Sequence, residues 1–147
     1  MQNYRFINNL CGWIIFAISA FVYISTIEPT GSFWDCGEFI ASSFKLQVGH
    51  PPGAPLFMMM GRIMSLFAGD DLTKVSVMIN IMSALMSAGT ILFLFWTITI
   101  LTKKIVAPSE ASDAGSIIAI MGAGFVGALA YTFSDSFWFS AVEGEVY

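Results

Sequence analysis

Three stretches of the chain carry no charged residue: Phe6–Ile27, Val75–Thr102 and Ala114–Ser134. Each is long enough for the roughly 20 mostly apolar residues that a helix needs to cross a bilayer. The first follows Arg5 as a secretory leader would. Its apolar core is longer than the usual run of about 7–15 residues, and no small-x-small cleavage site follows, so a retained helix is expected. A fourth apolar stretch, Ala54–Ala68, is shorter and holds Arg62 near its middle. A charge at mid-bilayer costs at least about 2.5 kcal/mol. This stretch is therefore expected to lie at the interface or re-enter on one side, rather than span.

Within the spans, small residues recur four apart. Ala123 and Gly127, Gly124 and Ala128, Ser83 and Ser87, and Ala84 and Ala88 each form such a pair. Small residues let helix backbones approach closely in lipid, where packing is driven by contact rather than by water. Asn80, early in the second span, is expected to bond to a neighbouring helix. These faces need more partners than three spans supply, and the chain stops at Glu-Val-Tyr without a polar tail. The expectation is an N-terminal portion of a longer protein whose remaining helices complete the packing.

Composition sharpens the class. Hydrophobic residues make up 56% and charged residues 11%, and the mean hydropathy is +0.77. A soluble chain carries roughly 25% charged residues, so this surface is not dressed for water. Six basic and ten acidic residues give a net charge of −4 with no basic run, which argues against a nucleic-acid partner. The fold class expected is an all-α integral membrane protein. Arg5, Lys103 and Lys104 sit in short segments that positive-inside counting assigns to the cytoplasm. The loop Glu28–Lys74, with helices near 35–45 and 54–68, and the acidic tail Asp135–Tyr147 then face outward.

The candidate chemistry lies in Thr30–Pro55, TGSFWDCGEFIASSFKLQVGHPPGAP. Asp35 and Glu38, three apart, share one face of any helix that begins there. The ordinary reading of Asp35, or of Ser32, is a helix cap. Phe33 and Trp34 are either boundary aromatics or a platform for a sugar or lipid. His50 is the sole histidine, and it opens His50-Pro51-Pro52-Gly53, whose prolines fix an extended path and whose glycine permits a tight turn. It is either a hydrogen-bonding loop residue or a contact to a phosphate near a helix start. Arg62 either snorkels to headgroups or neutralises a lipid phosphate. Glu143 and Glu145, in FWFSAVEGEVY, are interfacial acids or part of the site. Cys11 begins a long apolar run and Cys36 follows it, so a crossing helix holds them too far apart for a bridge, and they have no metal-type spacing. No metal or cofactor is assigned.

An apolar first helix, an outer loop opening with FWDCGEF, then HPPG and another apolar helix resemble the GT-C glycosyltransferases. More narrowly, the loop together with FWFSAVEGEVY resembles a bacterial membrane family of formerly unknown function that is related to eukaryotic protein O-mannosyltransferases. The likeness covers Glu28–Tyr147 and implies the N-terminal part of a GT-C-type polytopic helical bundle. It implies an inverting transfer of a sugar, such as mannose, from a polyprenyl-phosphate donor to a hydroxyl of a protein or glycan acceptor, such as protein Ser/Thr. By resemblance Asp35 maps onto the base, and the adjacent acids of classical protein mannosyltransferases become Asp35 and Glu38, three apart. His50-Pro51-Pro52 maps near the lipid-phosphate side, and Glu143 or Glu145 onto a second outer-loop acid. The implied location is a bacterial inner membrane with the loop in the periplasm. The reading from another class is a non-catalytic membrane module that binds a lipid carrier or forms part of a transporter.

Overall fold

The computed structural model describes residues 2–32, 34–51, 53–106 and 113–144. It is built from helices: α1 (Gln2–Ser25), α2 (Cys36–Lys45), α3 (Pro55–Ser65), α4 (Val75–Val106), α5 (Ala114–Thr132) and α6 (Asp135–Ala141), with no strand among the described residues. Three are long and apolar enough to cross a membrane, those of α1, α4 and α5. Helix ends and charge-free runs do not coincide. α4 continues through Lys103 and Lys104, because cations in a last turn face the negative end of the helix dipole. α1 stops at Ser25, before Ile27. α5 begins where the Asp113 carboxylate accepts the Ser116 N–H at 3.0 Å.

The chain divides into two compact units. The first joins Met1–Phe21 to Ala88–Ser134. Its core holds Ile15, Ile91, Phe95, Ile120 and Ala128. The small residues do what close packing needs: a Cβ on Gly124 would lie 2.6 Å from Phe95 Cε2 and 2.7 Å from Thr99 Cγ2. Ser19 and Thr132 hydroxyls meet at 3.1 Å in this core, and Thr132 donates to the Ala128 carbonyl, so Ser19 is the donor to Thr132. Phe93, Ile118 and Val126 remain exposed. Only 22% to 33% of each apolar window is buried, which leaves these faces for lipid or further helices.

The second unit joins Val22–Ser87 to Asp135–Tyr147. Ile79, Met82, Val75 and Ala68 form its apolar centre, with Phe44, Phe57 and Met64 packed against them. Ala54–Ala68 is α3 followed by a 3-10 turn, Leu66–Ala68. Gly61 lies so close to α2 that a Cβ there would meet Ser43 Oγ at 2.7 Å. Tyr23, fully buried, sits edge-on to Phe137 and Trp138 of α6 at 6.2 and 6.4 Å. Trp138 Nε1 donates to Thr26 Oγ1 at 3.1 Å, and Glu28 N–H to the Val142 carbonyl at 3.0 Å. Asn80 does not bond to a neighbouring helix: its Nδ2 donates to the carbonyls of Glu28 (2.7 Å) and Thr30 (3.2 Å). Loop backbone that leaves α1 needs partners, and a buried amide on α4 supplies them.

Candidate functional site

The loop between α1 and α3 is shaped at both ends of α2 by residues in the left-handed region. Trp34 (φ 64°) precedes α2 and Leu46 (φ 50°) ends it. Such a conformation is costly for a bulky residue and persists only where the surroundings over-determine it. Asp35 takes the N-cap position but in a helical conformation, and its side chain makes no cap bond. Ser32 is not a cap either, because its hydroxyl donates to Glu143. The Asp35 carboxylate is thus left for other partners.

Those partners come from the far end of the loop. His50 N–H donates to Glu38 Oε1 at 2.8 Å. The ring Nδ1 lies 3.1 Å from Glu38 Oε2; an ionised carboxylate only accepts, so Nδ1 carries the hydrogen. The other ring nitrogen, Nε2, faces Asp35 Oδ2 at 3.8 Å. The two bonds from His50 hold the Glu38 carboxyl below its ordinary value. The three side chains are half-exposed, between 39% and 42%. Gly49 permits this closure: a Cβ there would meet Met58 Cε at 2.6 Å and Glu38 Oε1 at 3.3 Å. Beyond His50 the chain turns, with Gly53 N–H donating to the His50 carbonyl at 2.9 Å and Gly53 at φ +75°. One donor atom from each of Asp35, Glu38 and His50 lies within 4.8 Å of the others. No metal was assigned to these residues from the sequence, because the ligand types are split across a loop whose path spacing alone does not reveal.

The remaining predicted residues lie elsewhere. Trp34 is 87% exposed. Arg62 Nη1 donates to the Phe44 carbonyl at 2.8 Å, and the guanidinium sits over the Phe44 ring, 5.3 Å from its centroid. It therefore closes an open carbonyl at the end of α2. Glu143 is 2% exposed and accepts the Ser32 hydroxyl. It lines a cavity of about 510 Å³ with Glu28, Thr30, Ser32, Phe139 and Val142. Glu28, Thr30 and Gly49 were not singled out from the sequence. Gly49 had a signal, since a glycine directly precedes His-Pro-Pro; Glu28 and Thr30 had none. Phe33, Pro52 and Glu145 lie outside the described residues. A second, apolar hollow of about 360 Å³ is lined by Leu46, Val48, Gly53, Pro55, Met58 and Met59.

No solved structure matches the chain. Among curated proteins, protein O-mannosyl-transferase tmem260 of Dictyostelium discoideum is 26% identical over 137 residues, covering 93% of this chain and 15% of that protein. Protein O-mannosyl-transferase TMEM260 of Mus musculus is 29% identical over 134 residues, covering 90% of this chain and 16% of that protein. The chain thus spans about a sixth of the length of the relatives it matches. Residues 35–147, which include the Asp35–Glu38–His50 group and the acidic tail, match the family described as the protein O-mannosyl-transferase TMEM260 N-terminal domain, and the chain belongs to that family.

Proposed function

We propose that this chain is the loop-bearing N-terminal part of a GT-C-type membrane glycosyltransferase. It transfers a sugar, mannose on the strength of its relatives' names, from a polyprenyl-phosphate donor to a hydroxyl of a protein Ser/Thr or glycan acceptor. The observation that carries this reading is the uncommitted Asp35 carboxylate beside a histidine fixed by Glu38. Asp35 takes the acceptor O–H proton, and the oxygen bonds to the anomeric carbon. The bond from that carbon to the phosphate oxygen breaks, and its electron pair leaves on polyprenyl phosphate. Attack opposite the phosphate inverts the anomeric centre, so one base suffices. Phosphate is a good leaving group that needs positive charge rather than a proton.

The other residues have supporting roles. Glu38 positions His50, and His50 with Arg62 faces the donor phosphate; Arg62 has donors beyond the Nη1 that holds Phe44. Ser32 joins the cavity to the base, since three residues span at most about 11 Å. That cavity, with Glu143 and Phe139 in its wall, suits a sugar or an acceptor side chain. Trp34 adds a substrate contact, a role that the resemblance also extends to Glu145. The apolar hollow beside Met58 and Met59 suits the first isoprene units. The loop lies on the outer face, periplasmic in a bacterium, and the acceptor approaches from there.

In the intact protein, Asp35→Asn is expected to lower turnover by about 10²–10⁴-fold, the range for a lost general base. Donor affinity should stay nearly unchanged, because the base acts in the transition state. Near-normal turnover in Asp35→Asn with turnover lost in Glu38→Gln would move the base to Glu38. If donor binds but no variant affects any transfer, the loop serves a non-catalytic lipid-carrier module.

A further inference from the structure

We propose that the cavity between residues 28–32 and residues 139–143 binds a basic side chain, Lys or Arg, of an acceptor protein. The proposal rests on the glycosyl-transfer reading for the acceptor, and adds what selects one: a cation close to the hydroxyl that receives the sugar. The cavity, of about 510 Å³, falls within the roughly 300–1,000 Å³ of small-ligand sites. All of its described wall lies in the second compact unit.

The polar side chains of that wall offer electron pairs and no hydrogens. Thr30 Oγ1 gives its hydrogen to Glu28 Oε1 at 3.2 Å, and the Ser32 hydroxyl gives its own to Glu143. Each hydroxyl keeps only acceptor lone pairs, and a carboxylate only accepts. A phosphate or an acidic side chain would meet oxygens alone, so the incoming group must bring its own N–H or O–H. Among the described residues no Lys, Arg or His lines the cavity. The ion pairs are those of His50 and Lys74, and they leave half-buried Glu28 without a cation. A neutral polyol would answer the lone pairs and leave that charge uncompensated; an ammonium or guanidinium answers both. The apolar wall fits the same group. Phe139, 57% exposed, and Val142 can receive the methylene stem that long basic side chains lay along apolar surface. The face of the Phe139 ring also attracts a cation within about 6 Å.

The position of the cavity sets where the basic residue falls in the acceptor. Gly31 belongs to the wall, and a Cβ on it would lie 3.5 Å from Gly37 Cα. The wall therefore touches the first turn of α2, which starts at Cys36, next to Asp35. An extended acceptor advances about 3.3–3.6 Å per residue, and Ser32 lies at most about 11 Å from Asp35. A Lys or Arg within about three residues of the modified Ser or Thr then reaches the cavity while the hydroxyl meets Asp35.

The test uses the intact protein in lipid nanodiscs and fluorescein-labelled Gly-Ser-Gly-Lys-Gly, with norleucine and Glu counterparts of its Lys, followed by fluorescence anisotropy. The Lys peptide should bind about tenfold tighter than the norleucine peptide, as a charged hydrogen bond implies, and the Glu peptide weakest. Salt should narrow the gap, because it screens charges that solvent reaches. Glu28→Gln should erase the preference for Lys over norleucine, and Glu28→Lys should turn it toward Glu, a reversal that a misfolded chain does not produce. Phe139→Ala should weaken Lys binding about two- to fivefold, the worth of an exposed cation–π contact. Asp70→Asn, at an exposed acid outside the cavity wall, should change nothing. No binding of the Lys peptide, equal affinity for Lys and norleucine, a Lys preference that survives Glu28→Gln, or one lost equally in Asp70→Asn would each overturn the site. Displacement of the Lys peptide by methyl α-mannoside would assign the cavity to a sugar instead. Transfer from polyprenyl-phosphate mannose is assayed separately. Charge-selective binding without transfer sinks the glycosyltransferase reading and keeps the site; transfer indifferent to the charge at this position does the reverse.

Discussion

Two aspartates stand at the same helix position and do different work. Asp113 is extended (ψ 169°) and its carboxylate accepts from the start of α5, whereas Asp35 is helical (ψ −4°) and its carboxylate makes no cap bond to α2. Backbone conformation decides this, since an N-cap side chain reaches the exposed N–H groups only from a non-helical residue. Asp113→Ala should therefore fray the first turn of α5, read as faster hydrogen exchange at the Ser116 amide. Asp35→Ala should leave the Glu38 amide unchanged. Protection at Ser116 depends on pH in a definite direction. The Ser116 bonds hold the Asp113 carboxyl below its ordinary value, so the cap is at full strength above about pH 3.9. It is lost as pH falls through the lower folded value. Exchange at Ser116 that is indifferent to both the substitution and acid would show that α5 starts without this cap. The spacing of Asp35 and Glu38 speaks only for one helix face; in the structure both carboxylates lie near one side chain. That the partner is His50, 12 residues beyond Glu38, was not legible, because it depends on Leu46 and Gly49 steering an irregular loop.

At the scale of elements, α2 and α3 form a hairpin in which a close approach and a charged hydrogen bond join an aromatic contact between Phe39 and Phe57. The close approach is Gly61 against Ser43. Gly61→Ala should cost about 1–3 kcal/mol, the usual range for overpacking, and lower the melting temperature of the intact protein. Gly122, with nothing within 4 Å of a Cβ, is the matched control, and Gly122→Ala should be neutral. Equal effects at the two glycines would mean that helix propensity, not contact, governs them. Arg62→Ala leaves the Phe44 carbonyl without its 2.8 Å partner, a loss of about 1–3 kcal/mol if that carbonyl stays dry. Arg62→Lys should recover little, since a point charge does not both stack on Phe44 and reach its carbonyl. The helices themselves were readable from charge-free runs, because length and apolarity suffice to specify a spanning helix. Their partners were not. Asn80 was assigned to another helix and serves the loop, a choice fixed by where the chain leaves α1 rather than by anything local to α4.

For the whole molecule, the decisive question is which side of the membrane receives each segment. α3 holds 11 residues, and with its 3-residue 3-10 extension it reaches only about 22 Å along its axis at roughly 1.5–2.0 Å per residue, short of a core of about 30 Å. Its Arg62 is satisfied by the end of α2, a helix of 10 residues that cannot span either. Both therefore belong to one side, with the chain entering α4 from that side. On the proposed topology α1 and α4 cross in opposite senses, and α5 returns the tail to the side of the loop. The hydrogen bond between Ser32 and Glu143, 111 residues apart, is what that topology requires. Neither residue's sequence neighbourhood announces the other; only the even number of crossings between them does. Cysteines introduced at Gly53, Asp70 and Gly144 should all react with an impermeant maleimide from the outer face of intact cells, while one at Lys104 should react only after permeabilisation. Asp70 labelled only from the cytoplasm would mean that Ala54–Ala68 crosses. The tail would then lie opposite Asp35, and the proposed base would lose both Glu143 and its cavity.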